Sequence, residues 1–146
     1  MSEIQMIKYV RPLQLAGYNI KKMVYNQIEK QEYTNLNIEM SFSVVDTEKL
    51  KLDEIEVYQS VIELALLVKE DDNELFDVII EGGYNSPMSI GKEKFEKYIR
   101  EYALFELYII VKQKIYEITS VNSFDTSVIL PMFDFKSLSN DLNIKI

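Results

Sequence analysis

The chain has 146 residues, 47% of them hydrophobic and 27% charged, and its 24 acidic and 16 basic side chains give a net charge of −8. This length and composition predict one globular domain, residues 1–146, with a core of ordinary size. The negative charge argues against nucleic acid as a partner, because phosphate binding needs a clustered cationic surface.

Cysteine, histidine and tryptophan are all absent from the sequence. Their absence excludes disulfides, thiol nucleophiles, Cys/His zinc sites and histidine acid–base catalysis. The carboxylates that remain are spread along the chain, and no phosphate-binding loop is present. We therefore expect no enzymatic activity, no cofactor and no metal.

Two features bear on location. Met1–Met6 has neither a basic start nor an apolar core, so no signal peptide is predicted. The most apolar stretch, Tyr102–Val111, carries one charge, Glu106, and is shorter than the ~20 residues that cross a bilayer. We expect a cytoplasmic protein with no membrane partner.

Apolar and polar residues alternate through the first half of the chain, as they do in half-buried strands. A weaker strand is predicted at Tyr18–Ile28, and three clearer ones follow it. Their inward-facing residues are Leu36, Ile38, Met40, Phe42 and Val44, then Tyr58, Ile62, Leu64, Leu66 and Val68, then Phe76, Val78, Ile80 and Gly82. The links at Asp46–Glu56 and Lys69–Glu74 are short, which predicts a four-stranded antiparallel meander with one apolar face and one polar, rather acidic face.

A long helix is predicted at Lys92–Thr119, which contains no glycine or proline. Its apolar residues form two stripes on nearly opposite sides, because successive residues turn by ~100°. The first stripe is Phe95, Ile99, Tyr102, Phe105 and Ile109, and the second is Leu104, Leu107, Tyr108, Val111, Ile115 and Ile118. One side packs on the sheet and the other needs a second subunit or an apolar client, so we expect a homo-oligomer, either a dimer or a tetramer. Which stripe faces the sheet stays open.

A short C-terminal helix is predicted after Leu130-Pro131. Asp134 is its candidate N-cap, with Phe135, Leu138 and Leu142 facing inward. Strands followed by helices, segregated along the chain, indicate an α+β fold.

Two sets of residues are candidate binding surfaces. Aromatic and methionine side chains late in the chain predict either ordinary core or an apolar groove that accepts varied partners. The groove candidates are Tyr84, Met88, Tyr108, Phe124, Met132, Phe133 and Phe135. Glu39, Asp77 and Glu81, on neighbouring predicted strands, form an acidic face that is either simply solvated or suited to a basic partner.

The order of these parts resembles the SecB-type protein-export chaperones, from about Leu15 to Leu142. The resemblance rests on the predicted meander and on four segments: Phe76–Tyr84, Leu107–Thr119, Ile129-Leu130-Pro131 and Phe133–Leu138. In the second segment, the family's proline, tyrosine and arginine correspond here to Ile109, Ile110 and Lys112.

The resemblance implies an assembly and a function. SecB-type proteins form dimers that pair into tetramers through their long helices, which here implicates Phe95, Tyr102, Phe105 and Ile109. They hold unfolded polypeptides in apolar grooves without ATP, and export members pass these clients to the motor SecA through an acidic sheet face. We therefore expect a holdase, with a role in protein export among its implied functions.

Two other functions remain open at this stage. Relatives of the SecB family control antitoxins, and the departures at Ile109 and Lys112 favour a dedicated adaptor or antitoxin-type chaperone that recognises one protein. A small-molecule-binding or catalytic domain with a pocket between sheet and helix is the third alternative.

Overall fold

The computed structural model describes residues 11–27, 36–120 and 127–135. Four strands come first: β1 (Gln14–Tyr25), β2 (Leu36–Leu52), β3 (Ile55–Glu70) and β4 (Asn73–Pro87). A 3-10 turn (Met88–Ile90) leads into α1 (Lys92–Tyr98), a π-helical segment (Ile99–Ala103) and α2 (Leu104–Ser120). The α+β fold class, a four-stranded antiparallel sheet followed by a long helix, is confirmed.

The strands lie in the order β1-β4-β3-β2, and every neighbouring pair is antiparallel. The predicted meander order therefore applies to β2, β3 and β4, whereas β1 lies beside β4 and not beside β2. This is the strand order of a Greek key. Stacking of Tyr25 on Phe76, with ring centroids 4.5 Å apart, contributes to the β1–β4 pairing. Among the residues that the structure describes, β1 and β2 are the two edge strands.

The predicted link at Asp46–Glu56 is mostly strand. β2 continues to Leu52 and turns at Asp53 and Glu54, whose φ angles of 47° and 68° are those of a two-residue hairpin turn. The sequence suggested a loop because the register shifts between Val44 and Asp46, which interrupts the alternation.

The inner face of the sheet is covered unevenly. Alternate residues of β3 and β4, such as Leu64 and Ile80, are fully buried because the helix packs mainly on these two strands. Inward-facing residues of the edge strands, such as Met40 and Met23, pack against the core but are only half-buried.

The π-helical segment decides which side of the helix faces the sheet. A π-turn holds one extra residue, so it sets the helix phase back by ~100°. As a result, Phe95 and Ile99 share the buried side with the second predicted stripe, while Tyr102, Phe105 and Ile109 face outward. The buried side comprises Phe95, Ile99, Ala103, Leu104, Leu107, Tyr108, Val111 and Ile115. The assignment of Phe95 to an oligomer interface is therefore wrong, since its side chain is 0% exposed within one chain.

Residues 127–135 lie along α2 in the opposite direction. The Val128 N–H donates to Thr119 Oγ1 at 2.8 Å near the end of the helix, and Phe135 reaches back to Phe105, with ring centroids 5.4 Å apart. Val128 and Leu130 are buried and Ile129 is exposed, so the segment alternates as an extended strap. The predicted C-terminal helix beyond Phe135, including Leu138 and Leu142, lies outside the described residues.

Candidate functional site

Three of the predicted groove residues belong to the core: Tyr84, Tyr108 and Phe135. Tyr84 and Tyr108 are fully buried, and their hydroxyls donate to the carbonyls of Ala103 (3.4 Å) and Pro131 (2.5 Å). Burial raises the pKa of Tyr84 well above its usual range and raises the pKa of Tyr108 to about 12. Neither ring can touch a client without a rearrangement, so both position other residues.

Tyr108 organises an aromatic cluster from the other predicted groove residues. The rings of Phe133 and Phe135 lie 5.4 and 5.2 Å from that of Tyr108, and Phe105 packs edge-on against Phe135. Phe133 is half-buried, and Met132, next to it, is 52% exposed. The accessible part of the predicted groove is therefore the surface of Phe133 and Met132.

One further groove candidate, Met88, lies away from this cluster. Met88 lies in the 3-10 turn before the helix, in the wall of a separate cavity with Pro87 and Ile55. Phe124 lies outside the described residues.

The outward side of the helix carries an apolar stripe, here called the helix stripe: Tyr98, Tyr102, Phe105, Ile109 and Tyr116. Phe105 and Tyr116 are exposed and the other three are half-buried. Arg11 covers part of the stripe, because its guanidinium lies 4.6 Å from the ring centre of Tyr102 and pairs with Glu106. Three of the four predicted interface residues thus lie together on an accessible surface.

The edge of β2 is a candidate surface that sequence reasoning did not identify. From Leu36 to Val44 the strand has no proline, no lysine and one charge, Glu39. Natural edge strands are usually protected by such residues or by bulges. β1, the other edge, carries two register shifts and the pair Lys21 and Lys22, whereas the register shift of β2 lies at the end of this stretch, between Val44 and Asp46.

The inward side of this open edge is apolar. Five alternate residues are half-buried there: Leu36, Ile38, Met40, Phe42 and Val44. The open backbone and the apolar row lie on the same strand, which is the arrangement that an added extended strand requires. The alternation was visible in the sequence, but the edge position of the strand was not.

The predicted acidic face carries both signs of charge. Lys69 pairs with Glu39 at 3.4 Å, Lys22 with Asp77 at 2.6 Å and Lys21 with Glu81 at 3.0 Å. These carboxylates extend from the sheet with lysine partners from a neighbouring strand. Their negative charge is therefore partly neutralised within the chain.

Lys21 has a second partner. Glu63 and Glu81 lie directly opposite each other on β3 and β4, and Lys21 bridges both, with Glu63 at 3.4 Å. Hydrogen bonds to Glu81 and then Glu63 raise the pKa of Lys21. Like charges directly opposite in a sheet are destabilising, so Lys21 offsets a repulsion that β3 and β4 create.

The described residues contain no cluster of three or more acidic side chains arranged to hold a metal ion. Within the same residues, no helix is long and apolar enough to cross a membrane.

Comparison with known proteins supports the fold. No protein-family model matches the chain, and no curated protein does. A solved structure of a SecB-like chaperone from Mycobacterium tuberculosis, in complex with a ChAD peptide from an antitoxin, matches with a TM-score of 0.53 and 12% identity. The match covers 84% of this chain and 91% of that one.

A second solved structure, a protein of unknown function from Streptococcus agalactiae, matches with a TM-score of 0.42 and 16% identity over 84% of this chain and 94% of that one. At these identities the likeness to the chaperone shows the fold alone. The chain has an α+β, SecB-like fold.

Proposed function

We propose that this protein is an ATP-independent chaperone that holds unfolded segments of other proteins in extended conformation. The observation that carries this proposal is the edge of β2. There, a backbone that no other described strand pairs with and a half-buried apolar row lie on one strand. The chaperone that shares the fold is bound to a peptide, which supports a polypeptide as the ligand.

Binding at this edge follows from strand geometry. An extended segment adds beside Leu36–Val44, where its backbone hydrogen-bonds to β2 and its alternate side chains cover the apolar row. At ~25 cal/mol per Å² of apolar area removed from water, a few hundred Å² supplies several kcal/mol before the ordering cost is subtracted. A folded protein hides both its backbone and its apolar side chains, so selectivity for unfolded chains needs no sequence readout.

The proposal includes a homo-oligomer that assembles through the helix stripe. Its exposed aromatic residues pair with the same stripe of a second copy in a two-fold arrangement. Several β2 edges in one assembly would then bind a long client with avidity. Solution mass by light scattering tests this: Phe105→Glu should dissociate the oligomer, whereas Gln113→Glu, an exposed change on the same helix, should not. A wild-type protein that is monomeric would contradict it.

Aggregation of several unrelated denatured proteins tests holdase activity. Met40→Lys puts a charge on the inward side of the β2 edge, so we expect it to lose most of its suppression of aggregation. Ser41→Lys, one residue later on the opposite face, is the matched control and should keep it. Equal activity of the two variants would remove the β2 edge from the mechanism, and an inactive wild type would refute the holdase.

A dedicated adaptor or antitoxin-type chaperone is the second candidate. One ground for it is that the solved SecB-like chaperone of similar fold is bound to a peptide from an antitoxin. The other is that Ile109 and Lys112 stand in place of the proline and arginine of the SecB family. Such a protein would yield one stoichiometric partner in a pull-down and would leave unrelated denatured proteins to aggregate. Export through SecA would require a docking site at Glu39, Asp77 and Glu81, where the motor would compete with three lysines.

A further inference from the structure

A carboxylate lies beside the helix stripe. Glu106 is the one charged residue in the apolar stretch Tyr102–Val111. Residues three positions apart are neighbours on a helix surface, so Glu106 lies next to Ile109 of the stripe. The side chain of Glu106 is 22% exposed within one chain. A partner that covers the middle of the helix stripe therefore also covers Glu106.

An unpaired carboxylate at this position would oppose association. A charge that leaves water without a compensating partner is costly, and truncation of one member of a buried ion pair weakens an interface strongly. In a two-fold arrangement both copies bring the same residue to the interface, so the cost arises twice. The chain also carries a net charge of −8, so two copies repel each other overall.

Arg11 supplies the compensating charge from outside the helix. Its guanidinium pairs with Glu106 and lies 4.6 Å from the ring centre of Tyr102. Arg11 Nε also donates to the carbonyl of Leu13 at 2.8 Å, and Leu13 is fully buried in the core. A planar guanidinium can pair with a carboxylate and lie over an aromatic ring at the same time, which a lysine ammonium does less well. The side chain is therefore fixed in place within a single copy.

The other ion pairs of the helical region differ from this one. Lys97 pairs with Glu101 at 3.8 Å, and Lys114 pairs with Glu117 at 3.9 Å. These pairs join residues three or four positions apart, and their lysine side chains are 67% and 43% exposed. Such exposed pairs contribute little to stability. Arg11 instead reaches the helix from just before β1, and it does so where the apolar stripe is accessible.

We propose that Arg11 neutralises Glu106 so that a second copy of this chain can pack on the helix stripe without burying a net charge. Arg11 is a positioning residue of the interface, because it acts through Glu106 and the Tyr102 ring. Each copy brings its own arginine, so the two contacting surfaces are both apolar and locally neutral, which suits a second copy better than a charged partner. The inference rests on the homo-oligomer of the proposed function and names the residue that permits it.

The test is the dissociation constant of the full-length oligomer, measured by sedimentation equilibrium over a dilution series. Arg11→Met keeps an unbranched apolar stem and removes the charge, and we expect it to raise the dissociation constant about thirtyfold or more. Arg11→Lys restores the charge without the planar group, so it should recover part of the loss. Lys97→Met, which removes the cation beside Glu101 at an exposed position, is the matched control and should leave the constant unchanged.

A double variant supplies the second arm. Arg11→Met combined with Glu106→Gln has no charge at either position, so its dissociation constant should return to within about threefold of wild type. This arm remains decisive if Arg11→Met alone does not fold, because the double variant has no uncompensated carboxylate.

Four results would overturn the role of Arg11 while the homo-oligomer stands. They are an Arg11→Met oligomer as tight as wild type, one that is tighter, an Arg11→Lys loss as large as that of Arg11→Met, and a double variant that dissociates as readily as Arg11→Met. A wild type that stays monomeric at every concentration would instead refute the homo-oligomer, and the role of Arg11 with it.

Discussion

The hydroxyl of Tyr84, on β4, donates a hydrogen bond to the carbonyl of Ala103, the last residue of the π-helical segment, at 3.4 Å. This contact joins one of the two central strands of the sheet to the point where the helix changes phase. The phase change, in turn, keeps Tyr102, Phe105 and Ile109 outward and Leu104, Leu107 and Tyr108 inward. A buried hydrogen bond therefore lies at the point where the helix changes phase, beneath the helix stripe proposed as an oligomer interface.

Tyr84→Phe removes this hydrogen bond and keeps the ring. We expect the free energy of unfolding to fall by about 0.5–1.5 kcal/mol, toward the lower end because the bond is long. Urea unfolding followed by circular dichroism measures the change. Tyr18→Phe, at an exposed position on β1, should have no effect, and an equal loss in both variants would mean that the Ala103 bond contributes nothing.

Gly82→Ala tests how closely the helix approaches the sheet. A Cβ at Gly82 would lie 2.8 Å from Leu107 Cδ2 and 3.1 Å from Tyr84 Cε2, both in the packed core. We expect overpacking to cost about 1–3 kcal/mol of unfolding free energy. Gly83→Ala is the control, because its Cβ would meet only the Gly17 carbonyl at 3.8 Å. If Gly82→Ala were as stable as Gly83→Ala, α2 could not lie as close to β4 as the structure places it.

Two buried serines should respond oppositely to the same substitution. Ser60 Oγ bonds to Thr47 Oγ1 at 2.9 Å and to the Asp46 carbonyl at 3.1 Å, whereas Ser86 Oγ has no hydrogen-bond partner among the described residues. We expect Ser60→Ala to cost about 1–3 kcal/mol and Ser86→Ala to leave stability unchanged or raised. Thermal unfolding of both variants decides this, and a comparable loss at Ser86 would show that its hydroxyl is paired in solution.

Lys21→Met leaves Glu63 and Glu81 facing each other without a cation. We expect lower stability at low salt, because the two carboxylates then repel each other without a cation between them. The loss should shrink at high salt, because the pairs are solvent-accessible. Denaturant unfolding at several salt concentrations measures this. Lys94→Met, an exposed lysine on α1, should show no such salt dependence, and a stability of Lys21→Met equal to wild type at low salt would contradict the bridging role.

Alkaline pH should destabilise the protein through Tyr108. Burial raises its folded pKa to about 12, above the ~10 of an unfolded tyrosine. The neutral hydroxyl therefore contributes stability that is complete below pH ~10 and is lost as the pH rises toward 12, because the unfolded state releases its proton first. Tyr108→Phe should lose less stability than wild type between pH 9 and 11. Parallel profiles for the two proteins would mean that Tyr108 is accessible to water.

The strands could be predicted well because their signal is local. Alternation in Leu36–Val44 and Phe76–Gly82 specifies extended backbone and its two faces from neighbouring residues alone. Near Val44 the alternation did not indicate a strand, because one register shift interrupts it and makes the sequence of the strand resemble that of a loop. The strand order could not be predicted from this local alternation, since β1 pairs with β4 through contacts between residues far apart in the chain, such as Tyr25 and Phe76.

The candidate site was predicted only in part. Aromatic residues near the helix were identified by type, but type does not separate Tyr108, which is buried, from Phe105, which is 39% exposed. The acidic residues were identified too, without their lysine partners on adjacent strands. The open edge of β2 was missed, because an edge is defined by a neighbour that is absent from the sheet.

The sequence by itself determined the period of each element, the absence of histidine and cysteine chemistry, and an excess of apolar residues in mid-helix. Tertiary structure alone decided which of the described strands are edges, which side of the helix is buried, and which polar atoms, such as Ser60 Oγ, find hydrogen-bond partners. The physical reason is the distance along the chain over which each property is set. Periodicity and composition depend on neighbouring residues, whereas the burial of a face and the pairing of hydrogen-bonding groups depend on segments that meet only in the folded protein.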